Sequence, residues 1–325
     1  MSITPADVVI TTAFLHPGDE VDTMLTSAGL RTAHHDLSTL TPEQRTMVLS
    51  QARAIIAGTV PLGEQEFALA PRLQVIVRTG VGYDSVDVAA ASARNIAVCV
   101  TAGSNRQAVA EHVFALMLSA ARRIPENTQD LAQGRWNQLT GRELHGATLG
   151  VLGLGSIGKA VARIATGFGM NVIAYDPYFD TEFARTHQIR QAGLDEVLRE
   201  SDFVSLHLFL DESTRHLLDA DRLALMKPDA ILVNTARGGI VDENALVEAV
   251  RSGSIGGAAF DVFASEPLPA DSPLRNTPGI LATSHIAGAT RQARGLSGHM
   301  AASNVIAVLA GQQPQHCVNA PQEAS

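Results

Sequence analysis

The chain is 325 residues long and 46% hydrophobic, with a net charge of −9 and two cysteines, Cys99 and Cys317. That length suits two domains with sizeable cores, and the acidic balance without a Lys/Arg-rich block argues against nucleic acid or an anionic membrane as the main partner. Two cysteines build no disulfide framework, no apolar run reaches the roughly 20 residues that span a bilayer, and MSITPADVVI lacks the marks of an export signal, so the composition points to a cytoplasmic protein.

Residues 1–100 alternate short apolar runs with helical patterns. Val8–Ile10, Ala54–Ile56, Val75–Val77 and Ile96–Val98 read as strands, and segments near 18–29, 43–52, 63–70 and 85–94 as helices. Such alternation implies a parallel sheet covered by helices on both faces. Arg78-Thr-Gly-Val-Gly-Tyr-Asp84 directly follows a strand, and is either a loop that turns backbone N–H groups toward a ligand or an ordinary tight turn. Ser104 to Arg123 reads as a long helix with Val109, Val113, Leu116, Met117 and Ala120 on its apolar face, suited to connecting two domains. Residues 124–142 carry Trp136, the only Trp, in a polar stretch that either packs on a second subunit or forms a surface helix.

The stretch ATLGVLGLGSIG (147–158) reads as a buried strand running into a glycine turn and a helix. Gly153, Gly155 and Gly158, with Ser156 and Ile157 between the last two, give G-x-G-x-x-G. The first glycine allows the tight turn, the second lets a pyrophosphate approach, and the third lets helix and strand pack closely. A second apolar run, 171–175, ends in Asp176, 18 residues after Gly158. An acid at about that distance accepts from the ribose hydroxyls and repels a 2′-phosphate, so the pattern selects NAD over NADP.

Further strands are expected near 203–206, 230–234, 257–261 and 280–282, followed by a helix over about 291–310 and a tail, Gly311 to Ser325, that crosses the surface or frays. Arg237, Glu266 and His285 each stand just after one of these apolar runs. Alone, each has an ordinary reading as a turn or loop residue. In a parallel sheet, however, C-terminal strand ends share the edge where the first helix meets the pyrophosphate, so the three side chains converge near a nicotinamide.

The motifs GLGSIG…YDP (153–158, 175–177), NTARGGIVDENAL (234–246), AFDVFASEPL (259–268) and SHIAGAT (284–290) together resemble the D-isomer-specific 2-hydroxyacid dehydrogenase family. The resemblance runs from about residue 54 to 310. It implies an α/β protein of two Rossmann-like, doubly wound parallel-sheet domains with the active site in the cleft between them. The substrate domain would comprise 1–103 and 296–325, and the NAD domain 104–295. It further implies an NAD-dependent enzyme acting on a small (R)-2-hydroxy or 2-oxo acid, without a metal, commonly as a homodimer joined through the central domain.

By the same resemblance, Arg237 holds the substrate carboxylate and polarises the carbonyl, a task suited to its planar, permanent charge. His285 is the general acid/base, and Glu266 pairs with it so that it carries the proton near neutral pH. Asp261 orients the nicotinamide amide, Val81 and Gly82 offer backbone donors to the substrate carboxylate, and His207, Thr235 and Gly288 border the cofactor. Related formate dehydrogenases carry glutamine at the position of Glu266, and phosphite dehydrogenases lysine at that of Val81. Phosphoglycerate dehydrogenases hold phosphate with two arginines, of which Arg78 matches one and Ala57 replaces the other. Arg78 therefore points to substrates with a second anionic group, the alternative being a glyoxylate/hydroxypyruvate reductase. A second alternative is an NAD-sensing corepressor-like binding protein. Phe209 stands where proline is usual, without a functional reading.

Overall fold

In the computed structural model, which describes residues 5–319, the chain forms two compact units, residues 5–105 with 290–319 and residues 106–289. The outermost residues of the expected first domain, 1–4 and 320–325, lie outside the described residues. The chain passes back to the first unit at Ala289/Thr290, earlier than the expected boundary after 295. The reason is mechanical: Thr290 caps the last helix, and a continuous helix belongs to one body.

The first unit contains β1 (Val8–Ile10), α1 (Glu20–Ser27), β2 (Thr32–His34), α2 (Pro42–Leu49), β3 (Ala54–Ala57), α3 (Glu64–Leu69), β4 (Val75–Arg78), α4 (Val88–Ala93) and β5 (Ala97–Val100). Its five parallel strands lie in the order β2-β1-β3-β4-β5, one of the two common doubly wound orders. Strand alternation sorts the side chains. Val9, Ile55, Ile76 and Val98 enter one core, whereas Val8, Ile10, Ile56, Val77 and Cys99 enter the other.

The second unit runs α5 (Arg106–Ala121), α6 (Ile124–Ala132), β6 (Thr148–Leu152), α7 (Ser156–Gly167), β7 (Asn171–Tyr175), α8 (Thr181–Thr186), β8 (Arg190–Gln191), α9 (Leu194–Glu200), β9 (Phe203–Leu206), α10 (Ala220–Leu223), β10 (Ile231–Asn234), α11 (Glu243–Ser252), β11 (Gly257–Phe260) and β12 (Ile280–Ala282). Its seven-stranded parallel sheet, β12-β11-β10-β9-β6-β7-β8, has the dinucleotide-binding order with one further strand. Leu149 and Val151 pack with α5 and α7 on one face, and Leu152, Val204 and Leu232 with α9 and α11 on the other. The final helix, α12 (Arg291–Leu309), packs on α1, β3 and β4 of the first unit.

Two edge strands, β2 and β8, do not announce themselves in the sequence. Thr32-Ala-His34 is half-buried throughout and Arg190-Gln191 is exposed, so neither carries the apolar run that marks a buried strand. The described part of the tail, residues 311–319, crosses the surface, the first of its two expected courses. Residues 316–318 lie beside β5, with Val100 N–H donating to the His316 carbonyl and Val318 N–H to the Val98 carbonyl. Among the described residues no helix is long and apolar enough to cross a membrane.

Candidate active site

The glycine turn sits between β6 and α7. A Cβ on Gly158 would lie 2.0 Å from the Gly153 carbonyl oxygen, so only glycine lets the helix start this close to the strand. A Cβ on Gly155, by contrast, would stand in open space. Gly155 is also the N-cap of α7 and brings no side-chain acceptor, which leaves the first-turn N–H groups of Ser156, Ile157 and Gly158 without an intrahelical partner. Asp176, just past β7, accepts from Leu154 N–H at 2.5 Å and from Tyr178 N–H at 2.7 Å. Its carboxylate thereby braces the turn from the neighbouring strand end.

Arg237 follows β10 and is set by a side chain that the sequence did not single out. Asn234 is fully buried; its Oδ1 accepts from Ala236 N–H at 3.0 Å and its Nδ2 donates to the Arg237 carbonyl at 2.9 Å. A Cβ on Gly238 would lie 1.9 Å from the Phe263 backbone, so the segment after Arg237 lies directly on the segment leading to Glu266. Glu266 Oε1 accepts from Phe263 N–H at 2.9 Å, and its Oε2 lies 2.6 Å from His285 Nδ1. Burial disfavours the charged form of Glu266. The His285 bond, the Phe263 N–H and the charges of His285 and Arg237 outweigh that, and hold its carboxyl below the usual carboxylate range.

His285 has φ +54°, a left-handed backbone unfavourable for a side chain with a Cβ. The hydrogen bonds of Asp261 hold it there. Its carbonyl accepts from His285 N–H at 2.8 Å. Its carboxylate accepts from Ile286 N–H at 2.8 Å, Ala287 N–H at 2.7 Å and the Thr283 hydroxyl at 2.6 Å. His112, on α5, places Nε2 at 3.2 Å from that hydroxyl and 3.5 Å from Asp261 Oδ1. Asp261 is 0% exposed. Burial works against its ionisation, but the His112 and Thr283 side chains and the two backbone N–H groups prevail and hold its pKa below the usual value. Asp261, expected at the nicotinamide amide, is thus occupied with the loop that carries His285.

His112 and Thr283 also escaped the sequence reading. The available signal was a histidine on the apolar face of α5, three residues after Val109 and four before Leu116. On the neighbouring strand end, His207 Nε2 lies 2.8 Å from Ser205 Oγ, and burial pulls its pKa down to about 3, which keeps the ring neutral. Thr235, at the end of β10, has a buried hydroxyl with no hydrogen-bond partner among the described residues. An orphaned hydroxyl, open space at Gly155 and uncapped first-turn N–H groups are what a bound dinucleotide would satisfy and fill, so these residues fit NAD.

In the first unit, Arg78 ends β4 and is 7% exposed. Its Nε donates to the Gly82 carbonyl at 3.1 Å and its Nη1 to the Ala57 carbonyl at 3.0 Å, closing the loop that contains Val81 and Gly82. Elsewhere on the second unit, Ile124, Leu131 and the 82% exposed Trp136 line a surface cavity of about 450 Å³. Trp136 follows α6 in irregular chain, not in a helix.

The family model described as "D-isomer specific 2-hydroxyacid dehydrogenase, NAD binding domain" matches residues 114–287. A glyoxylate reductase of Korarchaeum cryptofilum is 40% identical over 267 residues, covering 80% of each chain. A D-3-phosphoglycerate dehydrogenase of Methanocaldococcus jannaschii is 42% identical over 255 residues, 78% of this chain but 48% of its own, so the present chain spans about half its length. Among solved structures, a D-lactate dehydrogenase of Aquifex aeolicus complexed with NAD and lactic acid superposes with a TM-score of 0.87 at 28% identity, covering 97% of this chain and 100% of that one.

Proposed function

The chain belongs to the D-isomer-specific 2-hydroxyacid dehydrogenase family, and from that premise we propose that it uses NADH to reduce a small 2-oxo acid, of the size of glyoxylate or hydroxypyruvate. The product has R configuration wherever C2 is chiral. The protein is an NAD-dependent oxidoreductase of this family.

The observation that carries the choice is the position of Arg78. A guanidinium committed to the Gly82 and Ala57 carbonyls shapes the loop, and this favours a structural role over recognition of a second anionic group. In this reading the Val81 and Gly82 backbone donates to the substrate carboxylate. Arg237 steadies that carboxylate and the charge growing on the C2 oxygen. His285 delivers a proton to that oxygen, and Glu266 orients the ring and balances its charge through the 2.6 Å bond at Nδ1. When bound, the nicotinamide supplies the hydride. The Asp176 carboxylate selects NADH over NADPH by repelling a 2′-phosphate.

The test is NADH consumption across glyoxylate, hydroxypyruvate, phosphohydroxypyruvate, sulfopyruvate and 2-oxoglutarate, for the native chain and for Arg78→Ala. The proposal expects the two small acids to lead, and Arg78→Ala to raise KM for all five alike. A leading substrate with a second anionic group, and a KM rise confined to that class, overturns it.

A homodimer joined through the second unit is also proposed. The apolar surface at Ile124, Leu131 and Trp136 supports it, because isolated large apolar groups around one cavity are better covered than exposed.

A further inference from the structure

The fold sets the chain's two cysteines opposite one another. Cys99 lies in β5, fully buried, with Ile10, Ile56 and Val77 in the core beneath α1 and α12. Cys317 approaches from the C-terminal segment and packs against the same core. The two residues form an antiparallel bridge flanked by the Val100 N–H to His316 carbonyl bond of 3.1 Å and the Val318 N–H to Val98 carbonyl bond of 2.8 Å. Those flanking bonds make Cys99–Cys317 a non-hydrogen-bonded pair, the class whose Cα atoms stand about 4.5 Å apart. A disulfide spans Cα separations of about 4.4–6.8 Å.

The register is pinned from a second side. Asn319 Oδ1 accepts from Val98 N–H at 2.7 Å, and its Nδ2 donates to the Ile96 carbonyl and the Ser92 hydroxyl, both at 2.9 Å. The two thiols are free and unequal in access: Cys99 is buried and Cys317 half-buried. Burial, with Cys317 beside it, pushes the Cys99 thiol well above the ordinary thiol range, so Cys99 by itself is a poor target for oxidants.

We propose that Cys99 and Cys317 are a reversible redox pair, in which hydrogen peroxide oxidises the accessible Cys317 and Cys99 captures it as an intramolecular disulfide. In the first step the Cys317 sulfur attacks the peroxide. An S–O bond forms, the O–O bond breaks, and the departing hydroxide takes the thiol proton to give water and a sulfenic acid. In the second step the Cys99 sulfur attacks the Cys317 sulfur. The S–S bond forms, the S–O bond breaks, and the hydroxide leaves with the Cys99 proton as a second water. Two thiols lose two electrons together, and one peroxide becomes two waters. The resulting tie fastens the C-terminal segment to β5. Two residues beyond Cys99, Thr101 N–H donates to the Gly80 carbonyl at 3.0 Å, so the tie also stiffens the strand end that supports the Arg78–Gly82 loop.

The experiment uses the full chain, reduced, freed of reductant and exposed to hydrogen peroxide, then blocked with N-ethylmaleimide and analysed by intact mass and peptide mapping. The expected product is a single chain lighter by two hydrogens, carrying no maleimide, with the Cys99 and Cys317 peptides linked. Dithiothreitol restores both thiols, and the oxidised form melts several degrees above the reduced one, because a long loop has been closed in the unfolded chain. Cys317→Ser folds, retains an unoxidised Cys99 after the same treatment and shows no melting shift. Oxidation of Cys317 to sulfinic or sulfonic acid with Cys99 left as a thiol overturns the proposal. So does a disulfide joining Cys317 of two chains.

Discussion

Replacing Asp261 with Asn tests whether the loop anchored on that carboxylate is what places His285. The substitution preserves volume but turns one acceptor oxygen into a donor. Facing Ala287, the new amide meets an N–H that now donates at 2.7 Å; facing the other way, it meets Ile286 N–H at 2.8 Å and the Thr283 hydroxyl at 2.6 Å. Either way one buried backbone N–H loses its acceptor, at about 1–3 kcal/mol, and the surviving bonds lose the assistance of a full charge. A local loss of about 3 kcal/mol exceeds the roughly 1–2 kcal/mol by which a left-handed backbone is disfavoured at a non-glycine residue. His285 is therefore expected to leave φ +54° and carry its ring off Glu266. A misplacement of about 1 Å lowers turnover on the order of 10²-fold. The assay is steady-state NADH oxidation with glyoxylate, beside a fluorescence titration of NADH. The expected pattern is a large fall in kcat with NADH affinity within a few fold of native, since the pyrophosphate turn is on other strands. An Asp261→Asn enzyme with native kcat but a lowered melting temperature refutes the reasoning, because the anchor would then serve stability alone.

His285→Ala is expected to reduce turnover by about 10²–10⁴-fold, the usual worth of a general acid, with NADH binding intact by titration. The acid limb of the pH profile follows from Glu266. Its folded pKa lies below its ordinary 4.5, so the pairing with His285 is fully present above 4.5 and is lost as pH falls through the lower folded value. Turnover attributable to that pairing stays flat from neutrality to about pH 5 and drops below 4.5; in Glu266→Gln that limb is absent from the profile. Trp136→Asp places a charge on the apolar surface of the second unit and is expected to halve the particle mass seen by light scattering, with the melting of the isolated chain unaffected.

The candidate site is marked in the sequence by short local strings. The glycine turn, Asp176 and the Arg237, Glu266 and His285 positions each follow a run of apolar residues, and a parallel sheet gathers the ends of such runs on one edge. What escaped was whatever depends on distant partners or on edges. The bond from His112 to Thr283 joins residues 171 apart in sequence, and His112 is legible only as an oddity on an apolar helix face. Asn234 is an unremarked strand residue until its side chain is seen closing the turn before Arg237. The edge strands β2 and β8 lack a buried run because one side of each has no neighbour to exclude water. Arg78 shows the converse limit: its place after a strand is visible in the sequence, but whether a guanidinium faces a ligand or two backbone carbonyls is decided only by the loop's path.

The exposed Trp136 is the chain's single indole, and this gives the molecule its own optical gauge. Its emission comes from one place on the surface, beside Ile124 and Leu131, with no second tryptophan to average against. A water-bathed indole emits at long wavelength and is open to collisional quenchers such as iodide. Whatever settles on that surface shifts the emission to the blue and shields it from the quencher, so the state of this face can be followed at working concentrations without attaching a label.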